Sequence, residues 1–202
     1  MIVFRKSVGD FLASLNEFTF EAAGIKASAK RKTEAAAALG AAIAQGGADQ
    51  NAGQNDAAPQ DARLAGQVVE ATVTSRVARQ ASRSRVLWVD DRPSNNIHER
   101  HSLEALGIVF VLATSTDQAL ELARAQSFDA IISDMSRPED NRGGYTLLEK
   151  LRAAGTKTPF IIYAGRGAVE FRSEAIERGA YGITNRADEL FELVLSAVGE
   201  RA

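Results

Sequence analysis

From residue 86 onward the chain alternates short apolar runs with amphipathic stretches five times, and this alternation limits the possible folds more than any other feature. The runs are VLWVD (86–90), IVFVLA (108–113), FDAIIS (128–133), PFIIYA (159–164) and YGIT (181–184). They are short, rich in β-branched and aromatic residues, and apolar on both faces, as parallel strands covered on both sides must be. The periodic stretches predict helices near 95–106, 116–126, 144–154, 168–178 and 187–199. Ser115 and Gln118 have capping-box spacing, and Gly107, Gly155 and Gly179 stand where helices should stop. Such a pattern predicts an α/β fold, a five-stranded parallel sheet covered by helices through right-handed crossovers.

The expected arrangement is flavodoxin-like, with strand order 2-1-3-4-5. In that order the first and third strands are neighbours, and ligands bind in the crevice at their carboxyl ends. The first strand ends in Asp90 and Asp91, and the third runs into IISDMSRP with Asp134. Three carboxylates converging in one pocket repel each other, and a hard divalent cation with oxygen ligands relieves that repulsion. Mg²⁺ is the expected occupant. A pocket of this kind can accept a phosphoryl group, because the metal neutralises charge while a carboxylate oxygen attacks in line.

The motifs VLWVDD, IISDMSRP, GGYTLLEKLR and ERGAYGIT, set in the five-fold alternation, resemble the receiver domains of two-component response regulators over residues 84–200. The resemblance implies that Asp134 is the phosphoacceptor and that Asp90, Asp91, Asp134 and the backbone carbonyl of Ser136 hold Mg²⁺. It also implies a histidine kinase or phosphotransfer protein as donor, output through protein contacts rather than enzyme activity, and a switching face near the fourth helix, fifth strand and fifth helix of the repeat. The sequence departs from the family pattern in several places. Ala164 stands at the usual Thr or Ser position, and Arg186 stands at the usual Lys position as a phosphate contact of different reach. The loop from Asp134 to Gly144 is about two residues longer than usual, and Ile183 replaces a common aromatic. Ala164 and Arg186 keep a second reading open, a phosphorylation-independent scaffold of the same fold. A third reading, a nucleotide enzyme using YAGRG, lacks both the Lys-Ser/Thr of a P-loop and the third glycine of a dinucleotide fingerprint.

Upstream of the repeat the chain should divide into an oligomerisation element (1–45), a flexible linker (46–61) and a connecting helix (62–83). The first of these is read as a hairpin through Phe18, Phe20, Ile25, Ala27 and Ala29, followed by an alanine-rich helix over 33–45. The linker GGADQNAGQNDAAPQD carries no large apolar side chain. In the connecting helix Leu64, Val68, Ala71, Ser75 and Ala78 form a stripe. A small hairpin with short helices buries little alone, so a homo-oligomer is expected. A net charge of -2 gives no general pull toward nucleic acid, and the absence of cysteine excludes disulfides and thiolate chemistry. With no signal-peptide core or membrane span in view, a cytoplasmic location is expected. His98 and His101 read as surface residues, and Trp88 as core.

Overall fold

The computed structural model describes residues 24, 26–46, 57–165 and 170–200. The upstream strand of the expected hairpin, Phe18 and Phe20, lies outside them. Its expected second strand does not form, because residues 26–46 are one helix, α1. Lysine and alanine are poor strand residues and good helix formers, and that preference overrides the period-two alternation of 25–30.

Helix α2 (Ala57–Thr72) begins inside the expected linker. Pro59 stands in its first turn, where a missing N–H costs nothing and the fixed φ favours helix. The expected connecting helix is broken: α3 (Ser75–Ala81) starts afresh, with the Thr74 hydroxyl accepting from the Val77 N–H at 3.3 Å. Its expected stripe is displaced: Ala65 and Val69 are buried one residue beyond Leu64 and Val68, Val73 and Ala81 are buried further on, and Ala71 and Ser75 are exposed. The break at residues 73–74 then starts a new helical phase in α3.

The remaining elements are β1 (Arg85–Val89), a 3₁₀ turn (Pro93–Asn96), α4 (Ile97–Glu104), β2 (Val109–Ala113), α5 (Thr116–Ala125), β3 (Ala130–Ser133), α6 (Gly143–Ala153), β4 (Phe160–Tyr163), α7 (Arg172–Glu177), β5 (Gly182–Thr184) and α8 (Ala187–Gly199). All strand pairs are parallel, and the sheet order is β2-β1-β3-β4-β5, the flavodoxin-like order expected. Gly107, Gly155 and Gly179 end their helices at positive φ, which only glycine adopts without strain.

Alternate strand residues build two cores. Leu87, Val89, Ile131, Phe160 and Ile162 face α5, α6 and α7. Val86, Trp88, Ala130, Ile132 and Ile161 face the other way, in one cluster with Leu103 of α4 and Leu190, Phe191 and Val194 of α8. Ala35, Leu39 and Ala42 of α1, Ala65 and Val69 of α2 and Val73 just after it join that second cluster, so the upstream helices bury their apolar side within the chain. Close packing of α1 on α2 depends on small residues. A Cβ on Gly40 would lie 3.4 Å from the Ala62 Cα, and about two turns along the same pair of helices Lys32 reaches Glu70 at 3.1 Å. No helix among the described residues is long and apolar enough to cross a membrane.

Candidate functional site

The sheet order places the ends of β1 and β3 side by side, and the ladder holds them in register. The Asp134 N–H donates to the Val89 carbonyl at 3.0 Å, and the Asp90 N–H donates to that of Ala113 at 2.9 Å. Carboxylate oxygens of Asp90, Asp91 and Asp134 come within 4.8 Å of one another. Asp90 is fixed by its own turn, accepting from the Arg92 N–H at 2.7 Å and from the Asn96 amide at 2.6 Å. Asp91 is less enclosed and pairs with Arg92 at 3.5 Å. The cavity above them, of about 470 Å³, is also lined by Ser136, Glu99, Tyr163, Ala164 and Asn185.

Asp134 carries the electrostatic load of the site. Burial pushes its carboxyl from the ordinary aspartate value to about 7, Arg137 opposes the shift, and the neighbouring Asp90 and Asp91 add to it. Its Oδ1 is buried and has no hydrogen-bond partner among the described residues, although Arg137 Nη2 stands 2.9 Å away. The contact is ionic and lacks the alignment of a hydrogen bond. Three clustered carboxylates are a donor set suited to a hard divalent cation, which takes oxygen ligands and keeps several waters.

The loop after Asp134 is a compact turn. Arg137 and Asp140 exchange backbone hydrogen bonds at 2.9 and 3.0 Å. Asp140 then accepts from the Arg142 N–H at 2.8 Å and the Thr146 hydroxyl at 2.6 Å, and the Thr146 bond in particular holds its carboxyl below the ordinary value. The glycine pair at 143–144 lets α6 approach this loop. A Cβ on Gly144 would sit 2.6 Å from the Asp134 carbonyl oxygen, and one on Gly143 would sit 2.6 Å from Arg137 Nη1.

Ala164 lies in the cavity wall with no polar side chain to offer. Arg186 is directed elsewhere: its guanidinium pairs with Asp188, with Nε 3.1 Å from Oδ1, and lies 3.7 Å from Glu189. The position beside it, Asn185, is the one that lines the cavity. Alignment by a Gly-Ala pair fixed the backbone position of Arg186 but could not show that two acids in the first turn of α8 would hold its side chain. His98 is partly buried and His101 exposed, pairing with Glu104 at 3.9 Å, and Trp88 is core.

Two groups at the site escaped the sequence reading. Glu99 of α4 is buried with Oε1 accepting from the Tyr163 hydroxyl at 2.9 Å and Oε2 without a hydrogen bond; burial raises its carboxyl above the ordinary value. Burial and the Glu99 charge in turn push the Tyr163 hydroxyl upward. The other is Arg137, whose signal was in plain sight as a cation three residues beyond the aspartate and just before a proline.

Comparison with known proteins agrees with this geometry. The family model "Response regulator receiver domain" matches residues 86–194, more than half of the chain. A Pseudomonas aeruginosa protein described as a transcriptional regulator is 29% identical over 115 residues, covering 56% of this chain and 55% of that protein. The transcriptional regulatory protein ZraR of Escherichia coli is 33% identical over 95 residues, covering 47% of this chain and 21% of its own length. The virulence sensor protein BvgS of Bordetella pertussis is 40% identical over 70 residues, 35% of this chain and 6% of that protein. The chain thus spans little more than half, and in places far less, of the relatives it matches. Among solved structures, NtrX from Brucella abortus superposes with a TM-score of 0.52 at 23% identity, covering 58% of this chain and 27% of that one. The Francisella response regulator 1452 receiver domain gives 0.50 at 23%, covering 58% and 98%. On its fold, its acidic crevice and the family match across residues 86–194, the chain belongs to the response regulator receiver domain family.

Proposed function

We propose that this receiver accepts a phosphoryl group on Asp134, drawn from a phosphohistidine in a kinase or phosphotransfer protein, and signals through protein contacts. The supporting observation is the convergence of Asp90, Asp91 and Asp134 in one cavity. Asp90, Asp91, Asp134 and the Ser136 carbonyl would hold Mg²⁺, which supplies neutralisation of the charge on the transferring oxygens. The chain's own residues position the acceptor. The β1–β3 ladder fixes the Asp134 backbone, the turn from Arg137 to Asp140 limits the movement of its loop, and Gly144 lets α6 close behind it.

Intact mass after incubation with Mg²⁺ and acetyl phosphate tests this reading. Wild type should gain one phosphoryl group, and Asp134→Asn should gain none. A label that persists on Asp134→Asn refutes the assignment.

A second reading, a scaffold indifferent to phosphate, draws support from Ala164 and from the engagement of Arg186 with Asp188 and Glu189. A scaffold would keep one oligomeric state and one set of partners with and without Mg²⁺ and a phosphoryl mimic. Self-association belongs to this proposal too. The packing of α1 and α2 within the chain leaves less apolar surface to motivate it than the sequence suggested.

A further inference from the structure

Arg137 is the cation that touches the acceptor, and it does so from inside the fold. Its side chain is fully buried, and Nη2 lies 2.9 Å from Asp134 Oδ1. Nη1 donates to the Thr116 hydroxyl at the start of α5 at 2.9 Å, and Nη2 donates to the Ser133 hydroxyl. Its backbone is locked to Asp140 in the turn, and the missing side chain of Gly143 leaves room for the guanidinium. Its Nε has no hydrogen-bond partner among the described residues. The other arginines near the site are engaged with acids of their own: Arg92 with Asp91, Arg142 with Glu174 and Arg186 with Asp188.

A buried guanidinium is costly unless its charge is answered, and a structural pair normally satisfies the donors of both partners. Here the charge is answered mainly by one carboxylate, at one oxygen, and that oxygen is closed to solvent. The side chain's remaining 14% exposure therefore falls on the other part of the group, at the cavity that Asp134 lines. We propose that Arg137 is a positioning residue for Asp134: it holds Oδ1 from behind and leaves Oδ2 turned to the cavity as the oxygen that takes the phosphoryl group. This deepens the acceptor reading above and rests on it. In the transfer Oδ2 attacks phosphorus and an O–P bond forms. The bond from phosphorus to the donor's bridging atom breaks, and its electron pair leaves with the donor. Arg137 keeps the attacking carboxylate from rotating and offsets part of the negative charge gathered there, a contribution made through orientation.

The arrangement has two opposite consequences. The Arg137 charge repels a cation bound at Asp90, Asp91 and Asp134, so removing it should tighten Mg²⁺ binding. Loss of orientation should at the same time slow transfer. The experiment uses the full chain, with Mg²⁺ affinity read from the fluorescence of Trp88, two residues before Asp90. Transfer is read as the maximum rate and half-saturating concentration of acetyl phosphate at saturating Mg²⁺. Arg137→Gln should bind Mg²⁺ about three- to tenfold more tightly while its maximum rate falls at least about tenfold. Arg137→Lys keeps the charge without the planar fork, so its Mg²⁺ affinity should stay near that of wild type while its rate stays low. Unchanged affinity and rate in both variants would overturn the proposal, and so would a joint loss of affinity, rate and stability, the mark of a merely structural pair. A wild type that binds Mg²⁺ yet takes no phosphoryl group would overturn the acceptor reading itself, together with the role of Arg137 in it.

Discussion

Gly144 offers a sharp test of how the acceptor loop is held. A Cβ placed there would stand 2.6 Å from the Asp134 carbonyl oxygen and 3.2 Å from the Met135 Cα, both backbone atoms, whereas ordinary contact begins near 3.4 Å. Gly144→Ala must therefore push α6 and the loop apart by a large fraction of an ångström. Overpacking of this kind costs about 1–3 kcal/mol, and replacing a helical glycine returns roughly 0.5–1 kcal/mol. The net expectation is destabilisation by about 0.5–2 kcal/mol. Gly66, inside α2, is the internal control. Nothing lies within 4 Å of a Cβ built there, so Gly66→Ala should stabilise the protein by roughly 0.5–1 kcal/mol. Urea denaturation followed by Trp88 fluorescence and circular dichroism measures both variants. Because the displaced group is the Asp134 backbone, Gly144→Ala should also weaken Mg²⁺ binding severalfold, while Gly66→Ala leaves it unchanged. If Gly144→Ala stabilises as much as Gly66→Ala with Mg²⁺ affinity intact, the close approach described here is wrong.

Other perturbations have equally definite outcomes. Leu39→Ala, which empties a fully buried site in the core cluster that the upstream helices share with α8, should cost about 2–5 kcal/mol in chemical denaturation; a loss under ~0.5 kcal/mol would mean that α1 does not dock there. Arg186→Ala should leave the rate of Asp134 phosphorylation by acetyl phosphate within about twofold, because the side chain is held by Asp188 and Glu189; a large drop would restore it as a phosphate contact. Burial raises the Glu99 carboxyl, so the folded chain holds that proton in a pH range where the unfolded chain has released it. Its contribution to stability is therefore lost as pH rises above the ordinary glutamate value, and Glu99→Gln should flatten that part of the stability profile. An unchanged profile in denaturation series across pH would refute the assignment.

How much could be read in advance depended on whether one physical signal spoke alone. The strands of the repeat are apolar on both faces, and three of them follow glycines at positive φ, so nothing competed with the parallel-sheet reading, and the flavodoxin-like architecture supplied the strand order. The convergence of Asp90, Asp91 and Asp134 came from that order, since backbone position alone decides it. Signals failed where two of them conflicted. At residues 26–30 alternation argued for strand while Ala and Lys argued for helix, and propensity won. At residues 57–61 a polar stretch that reads as linker holds Pro59 in the one part of a helix that accepts it. In α2 the stripe was placed one residue early, on Leu64 and Val68 rather than Ala65 and Val69, and it was then continued across the break at Thr74. Arg137 and Arg186 show the limit for long side chains, because sequence fixes the Cα, while the place of the guanidinium depends on which acids and which glycine-made spaces the fold brings near.

The packing of α2 and α3 against α8 also has a consequence for biosynthesis. Their apolar side, with Val69 and Ala81 and with Val73 between the two helices, is completed by α8 at residues 187–199, more than a hundred positions later in translation. At about 5–20 residues per second, these helices wait on the order of ten seconds before the element that covers them has been made. During that interval the small residues of α1 and α2 can cover one another, and Ala35, Leu39 and Gly40 against Ala62 and Ala65 form a provisional shelter. Closure of α8 is then a contact of long sequence separation, formed late, and it joins the two ends of the described chain in a single folding event.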